Sequence, residues 1–369
     1  MKAVGIVLAG GTYQGLGSLV ENRNMAAIPV GSCYRTIDFV LSNMSNSGIK
    51  KVAVIAQNNT RSLADHLSSS KWWDLGRKKG GLFFFTPHMV SSIYYGFKGT
   101  GDAIYQNLSF LKRSNEQYVV ITGGEQVNRI DYNKVIAYHQ EKGADITLVC
   151  KNMPGVDVTG YGVVGLDSNN RMVDFEEKPF EPQQETVSLG IYVVARELLI
   201  SLLEEIQSEE RYSIVNDIII RYRKKLKIYG YMFDGYWRSV RTIKQYYDMS
   251  MEFLNEDVQK LFFKTQPYFY TKVKDEPPTK FNAGSKVSCS LLGGGVINNG
   301  TVHNTILFRK VYIGDHSRIH NSIIMENTTI GRNCVIEYAI IDKNVVISDN
   351  QKVIGQKDNI IVLPKHTII

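Results

Sequence analysis

Residues 6 to 20 read IVLAGGTYQGLGSLV. A short apolar run ends in Gly10-Gly11, the way a strand hands the chain to a loop whose backbone N–H groups can cradle a phosphate. That loop holds no Lys or Arg, so it can offer an anion weak backbone contacts but little stabilisation of a charged transition state. Three further stretches carry polar or aromatic chemistry. Lys178 precedes Pro179 and is either a solvated lysine at a strand end or a cation for a phosphate ligand. Asp102, Gln106 and Asn107 in GTGDAIYQN suit helix capping as well as binding. Trp72 and Trp73 read as packing or interface residues rather than ligand stackers. Cys33, Cys150, Cys289 and Cys334 are isolated, without metal-ligand spacing, and read as reduced structural thiols.

The elements that must position these residues follow from hydrophobic periodicity. At 369 residues, with 43% hydrophobic and 21% charged, the chain suits a soluble protein of about two domains. It opens on AVGIVLAG, too short for a signal core or a membrane span, and reads as cytoplasmic. The net charge of +7 could suit nucleic acid, but it is spread without a long basic tract and anionic small ligands explain it equally well, so no nucleic-acid partner is expected. Up to about residue 255, β-branched runs such as KVAVIAQ, YVVITG and DITLVC alternate with helical patterns such as ARELLISLLEEI. Alternation of this kind predicts a mostly parallel sheet covered by helices, with ligands at the carboxyl ends of its strands. Residues 256–285 carry prolines and little periodicity and read as a linker.

After the linker, within the stretch 286–369, the chain repeats itself: from 302 to 347 the same residue types recur 17 apart. Val302, Ile319 and Ile336 stand in one register, Ile306, Ile323 and Ile340 in a second, Ile313, Ile330 and Ile347 in a third, with Gly314 and Gly331 at the same interval. A coil that buries its apolar edge only against its neighbours needs a branched aliphatic at the same place on every turn, so the repeat predicts a parallel β-helix.

The sequence resembles the glucose-1-phosphate adenylyltransferase (ADP-glucose pyrophosphorylase) family across essentially its full length. The resemblance rests on VLAGG at 7–11, YRTIDFVLSNMSNSGI at 34–49, KGTGDAIYQNL at 98–108, FEEKP at 175–179, SLGIYV at 188–193 and YWRSVRTIKQYYDMSM at 236–251. It implies an α/β nucleotidyltransferase domain, Rossmann-like with a mostly parallel sheet, over residues 1–255, and a left-handed, hexapeptide-like β-helix over 286–369. The implied reaction joins ATP to glucose 1-phosphate, with Mg²⁺ held by two carboxylates. Gly162, Glu177, Lys178 and Ser188 match the family's sugar-phosphate contacts, and Phe97 stands where a Tyr would. Gly10, Gly11, Thr12 and Gln106 fall at nucleotide-binding positions.

The catalytic positions depart from the pattern. The family's GGRGTRL lies on GGTYQGL, placing Thr12 and Gly15 at its two arginines. Met25 stands at a lysine, Glu125 at the first metal-binding aspartate, Ser239 at the second, and Arg241 at a glycine. No catalytic position is then intact and no metal ion is expected for this chain alone. The departures match the GlgD type of subunit, a catalytically deficient paralogue that assembles with a GlgC-type catalytic subunit, which carries the Mg²⁺, in a hetero-tetramer. On that reading Gly10 and Gly11 serve mainly the turn, and a sugar phosphate or ADP-glucose is the expected ligand. Two alternatives stay open: an active enzyme in which Glu125 holds Mg²⁺ and Arg23 or Arg241 supplies charge, and a non-enzymatic scaffold or sensor.

Overall fold

The computed structural model describes residues 2–11, 13–76, 80–87 and 96–369. Ala3–Ala9 is an unbroken run of small and branched apolar residues, as a strand covered on both faces requires. It lies at the middle of a nine-stranded sheet, paired in parallel with Lys51–Ala56 on one side and Tyr118–Gly123 on the other. Gly81–Phe85 extends one edge in parallel. Beyond Tyr118–Gly123 comes the long strand Thr186–Ala195, which runs antiparallel and pairs with Ile146–Asn152 and Gly162–Leu166. Met172–Glu177 is the second reversed strand, and the rest point one way, so the sheet is mostly parallel. Side chains alternate across it: Val7, Ala9, Val52 and Val54 enter one core, while Val4, Ile6, Ala53 and Ile55 enter the other.

The second domain is built from three parallel sheets of five short strands each, the arrangement of a left-handed β-helix. The sequence repeat is the hydrogen-bonding register itself: Val302 pairs with Ile319 and Ile319 with Ile336, Ile306 with Ile323 and Ile340, Ile313 with Ile330 and Ile347. Gly314 lacks a side chain because an added Cβ would meet the carbonyl oxygen of Gly331 at 2.5 Å, one coil along. The first coil strand, Lys280–Phe281, lies inside the stretch read as a linker.

The stretch 256–285 is a packed strap rather than a loose tether. Its Phe262 and Phe269 are buried against Phe39 and Phe253 in a core shared by both domains, to which the β-helix contributes Ile306, Phe308, Ile323, Met325 and Ile340. At this junction Arg23 donates to Asp342 Oδ1 at 2.6 Å, with side-chain exposures of 2% and 1%. Glu326 accepts from Lys343 at 2.7 Å and from Lys274 at 3.0 Å, with Arg309 at 3.5 Å. Burial works against its charge, but the three cations outweigh it and bring Glu326 down to about 2.

Candidate functional site

The carboxyl ends of Ala3–Ala9 and Tyr118–Gly123 open onto a cavity of about 270 Å³. Gly11, Tyr13, Glu125 and Ser239 line one half, and Gly162, Glu177, Lys178 and Ser188 line the other. The second half is assembled by one strand set: Gly162 pairs with both Glu177 and Ser188 in the sheet, and Lys178 follows in the left-handed region, at φ 50°, its N–H donating to the carbonyl of Tyr161 at 3.0 Å. Gly162 is small because an added Cβ would lie 2.5 Å from the Phe175 ring. In the first half, Ser239 sits on the short strand Trp237–Ser239, antiparallel to Gln126–Asn128. Trp237 Nε1 donates to Gln126 Oε1 at 2.9 Å and Gln126 Nε2 to Leu189 O at 2.7 Å, tying the two halves together.

Arg241 crosses the mouth between them. Its guanidinium lies 3.9 Å from the centre of the Tyr161 ring and 5.4 Å from that of Tyr13, and its Nη1 donates to the carbonyl of Gly160. Such stacking suits a planar, weakly hydrated cation. Burial raises the carboxyls of Glu125 and Glu177 above the usual range; Glu125 is pulled partly back by its own backbone N–H and then by Arg241, and Glu177 by Lys178 and then by Arg241. The Glu125 carboxylate also accepts from the backbone N–H groups of residues 124 and 125.

Residues 4–256 match the nucleotidyl transferase family and residues 276–359 a GlmU-like C-terminal hexapeptide family. Over 317 residues the chain is 38% identical to the glucose-1-phosphate adenylyltransferase of Thermotoga maritima, covering 85% of this chain and 75% of that one. The enzymes of the same name from Halalkalibacterium halodurans and Clostridium acetobutylicum are 34% and 36% identical, each with 83% of its length covered, against 86% and 85% of this chain. The chain belongs to the glucose-1-phosphate adenylyltransferase family.

Set in that family, the cavity brings together eight of the sequence-derived positions, Gly11, Glu125, Gly162, Glu177, Lys178, Ser188, Ser239 and Arg241, and leaves Gly10, Gly15, Met25 and Gln106 off its lining. Gln106 is exposed and donates to Asp102 Oδ2 at 2.9 Å, and Asn107 donates to Ala103 O, so both serve their own helix. Thr12 lies outside the described residues. Met25 is 4% exposed and belongs to the shared core with Leu16, Leu19, Ile28 and Val240, where a lysine would carry its charge into apolar surroundings. Gly15 is closed off as well, since an added Cβ would stand 2.9 Å from the backbone oxygen of Arg241.

Two expectations are corrected. Arg23 supplies no charge to the cavity, because it is buried at the domain junction on Asp342 and the carbonyl of Leu19. The turn does not demand Gly10 or Gly11: neither takes a positive φ, and among the described residues an added Cβ would meet nothing within 4 Å at Gly11 and only Gln57 Cβ at 3.6 Å at Gly10. What these glycines leave is open space beside the backbone. Tyr13 and Tyr161, which hold Arg241, escape sequence reading because they lie 148 residues apart with no shared period. Trp73 is fully buried, its Nε1 donating to Tyr270 O at 3.1 Å, and serves packing. Among the described residues no helix is long and apolar enough to cross a membrane.

The divalent ion that the family's chemistry implies is poorly served by these donors. One carboxylate is turned onto backbone N–H groups, the second position is a serine hydroxyl, and a guanidinium stands two residues away. Among the described residues no group of three or more His, Cys, Asp or Glu could hold a metal. Hard divalent cations favour several charged oxygens, and a fixed cation nearby repels them.

Proposed function

We propose that this chain is a GlgD-type, catalytically deficient subunit of glucose-1-phosphate adenylyltransferase in ADP-glucose and glycogen synthesis. It assembles with a GlgC-type catalytic subunit as a hetero-tetramer and modulates its activity, while its own cavity binds a sugar phosphate or ADP-glucose. The observation that carries this reading is the asymmetry of the cavity. The sugar-phosphate positions Gly162, Glu177, Lys178 and Ser188 converge on one wall, whereas the positions that would neutralise a triphosphate are filled by packing: Met25 in the core and Gly15 against the Arg241 backbone. Adenylyl transfer depends chiefly on positioning and charge neutralisation, so a site without those cations keeps recognition and loses rate.

The test is ADP-glucose formation by the purified chain alone, by an active subunit alone and by the two together. The expected result is turnover at least about 10³-fold below that of an active member for this chain by itself, with an altered rate or ligand response in the mixture. Turnover by this chain comparable to an active member would overturn the reading.

A further inference from the structure

Arg241 is more than a loss of the family's glycine. Its guanidinium is clamped between Tyr13 and Tyr161 and tied by Nη1 to Gly160 O, so its position is fixed by the protein. Its Nε is shielded from solvent and has no hydrogen-bond partner among the described residues. Arg241 also lines the cavity, and a guanidinium held in place in this way presents its remaining N–H groups as a fork that fits an oxyanion. Lys178 brings a second cation to the same cavity, and Gly11 leaves its backbone open to a ligand.

We propose that Arg241 is a built-in substitute for the divalent metal: it holds the ligand's phosphate together with Lys178, so that the cavity binds an anionic sugar phosphate without Mg²⁺. This rests on the reading of the cavity as a sugar-phosphate site and goes beyond it, because it assigns the phosphate a cation that the chain itself carries. The tyrosine clamp explains why that cation is an arginine. A lysine has no planar face to lay on Tyr161, and its charge would be free to move with its stem. Arg241 also faces Glu125 and Glu177 and offsets part of their charge.

The test is calorimetric titration of the full chain with glucose 1-phosphate, once in EDTA and once in excess Mg²⁺, repeated with Arg241→Gly and Arg241→Lys. The expected result is equal affinity for the parent in both buffers, within about twofold. In EDTA, at least about a tenfold loss is expected for Arg241→Gly, the scale of one charge-assisted contact, and a smaller loss for Arg241→Lys. Thermal unfolding of each variant shows that the fold persists; if Arg241→Gly does not fold, the comparison of the parent in the two buffers decides alone. Binding by the parent that needs Mg²⁺ overturns this inference and leaves the sugar-phosphate site standing. Unchanged affinity of a folded Arg241→Gly in EDTA does the same. Absence of binding in either buffer overturns both.

Discussion

The cavity and the domain junction both gather carboxylates and cations, and they resolve the conflict between burial and charge in opposite directions. At the junction, three cations outweigh burial and hold Glu326 at about 2, while Arg23 and Asp342 meet at 2.6 Å. In the cavity, burial outweighs Arg241, and the carboxyls of Glu125 and Glu177 stay above the usual range. A charge network that serves structure compensates itself within the folded chain. Among the described residues both networks leave single polar atoms without a partner, Arg309 Nε and Asp342 Oδ2 at the junction and Arg241 Nε in the cavity. What separates them is that only the cavity keeps its carboxyls raised, the state of a network with capacity left for a ligand.

The strongest way to break this comparison is to restore the catalytic pattern in the cavity. Met25→Lys or Gly15→Arg alone is expected to recover almost none of a deficit of at least about 10³ in rate, since groups acting as a unit are not additive. The structure adds that Gly15→Arg must first displace the Arg241 backbone and that Met25→Lys puts a cation in the shared core. Recovery is expected only when both are combined with Ser239→Asp and Arg241→Gly, read as ADP-glucose formation with contaminating host enzyme excluded. Strong rescue by a single cation would show that the cavity is no less compensated than an active site.

On the junction side, Asp342→Ala leaves Arg23 buried and unpaired. The expected cost is about 3–5 kcal/mol, measured by chemical denaturation, whereas replacing both partners by apolar residues of similar volume is expected to be near neutral. A loss below about 1 kcal/mol, the range of exposed pairs, would show that water reaches this pair. A smaller effect belongs to the cavity: Lys178→Ala is expected to weaken glucose 1-phosphate binding by about tenfold, one charge-assisted contact. Calorimetry showing equal affinity in the variant would place the phosphate elsewhere.

How much of this was legible in the sequence depended on whether a residue acts through a period or through a distant partner. The 17-residue interval is the β-helix register because every coil must present the same aliphatic to its neighbour. The parallel core was equally open, since a strand covered on both faces shows an unbroken apolar run. Strand direction was not, and Met172–Glu177 and Thr186–Ala195 run against the rest with no mark of it in their composition. Residues 256–285 read as a linker because their helical part, Glu256–Gln259 continued as a π-helical stretch over Lys260–Lys264 that buries Phe262, is too short to show a period, and Phe269 reaches the shared core from the irregular stretch after it. In the site, Glu177, Lys178 and Ser188 came through local strings. The burial of Met25, the diversion of Arg23 to Asp342 and the Tyr13–Arg241–Tyr161 stack required the fold, since each joins segments far apart in the chain.

The smallest effect sharpens the comparison through pH. A carboxyl raised by burial binds its proton more tightly in the folded chain than in the unfolded one, so its contribution is fully present below the ordinary value of 4.5 and is lost as pH rises through the folded pKa. Glu125 is such a group, faced by Arg241 and Tyr13 and by its own backbone N–H groups. Glu326 has the opposite sign: its contribution is present above 4.5 and disappears as pH falls toward about 2. Denaturation of the parent, Glu125→Gln and Glu326→Gln across the acid and neutral range separates the two. Glu125→Gln is expected to match the parent near the acid end of the Glu125 window and to exceed it increasingly toward neutral pH, where the parent must keep a buried carboxylate ionised. Glu326→Gln is expected to fall below the parent at neutral pH and to close the gap as the parent's own Glu326 takes up its proton. A constant offset for Glu125→Gln at every pH would mean that Arg241 fully compensates Glu125, and the contrast between the cavity and the junction would then fail at its most sensitive point.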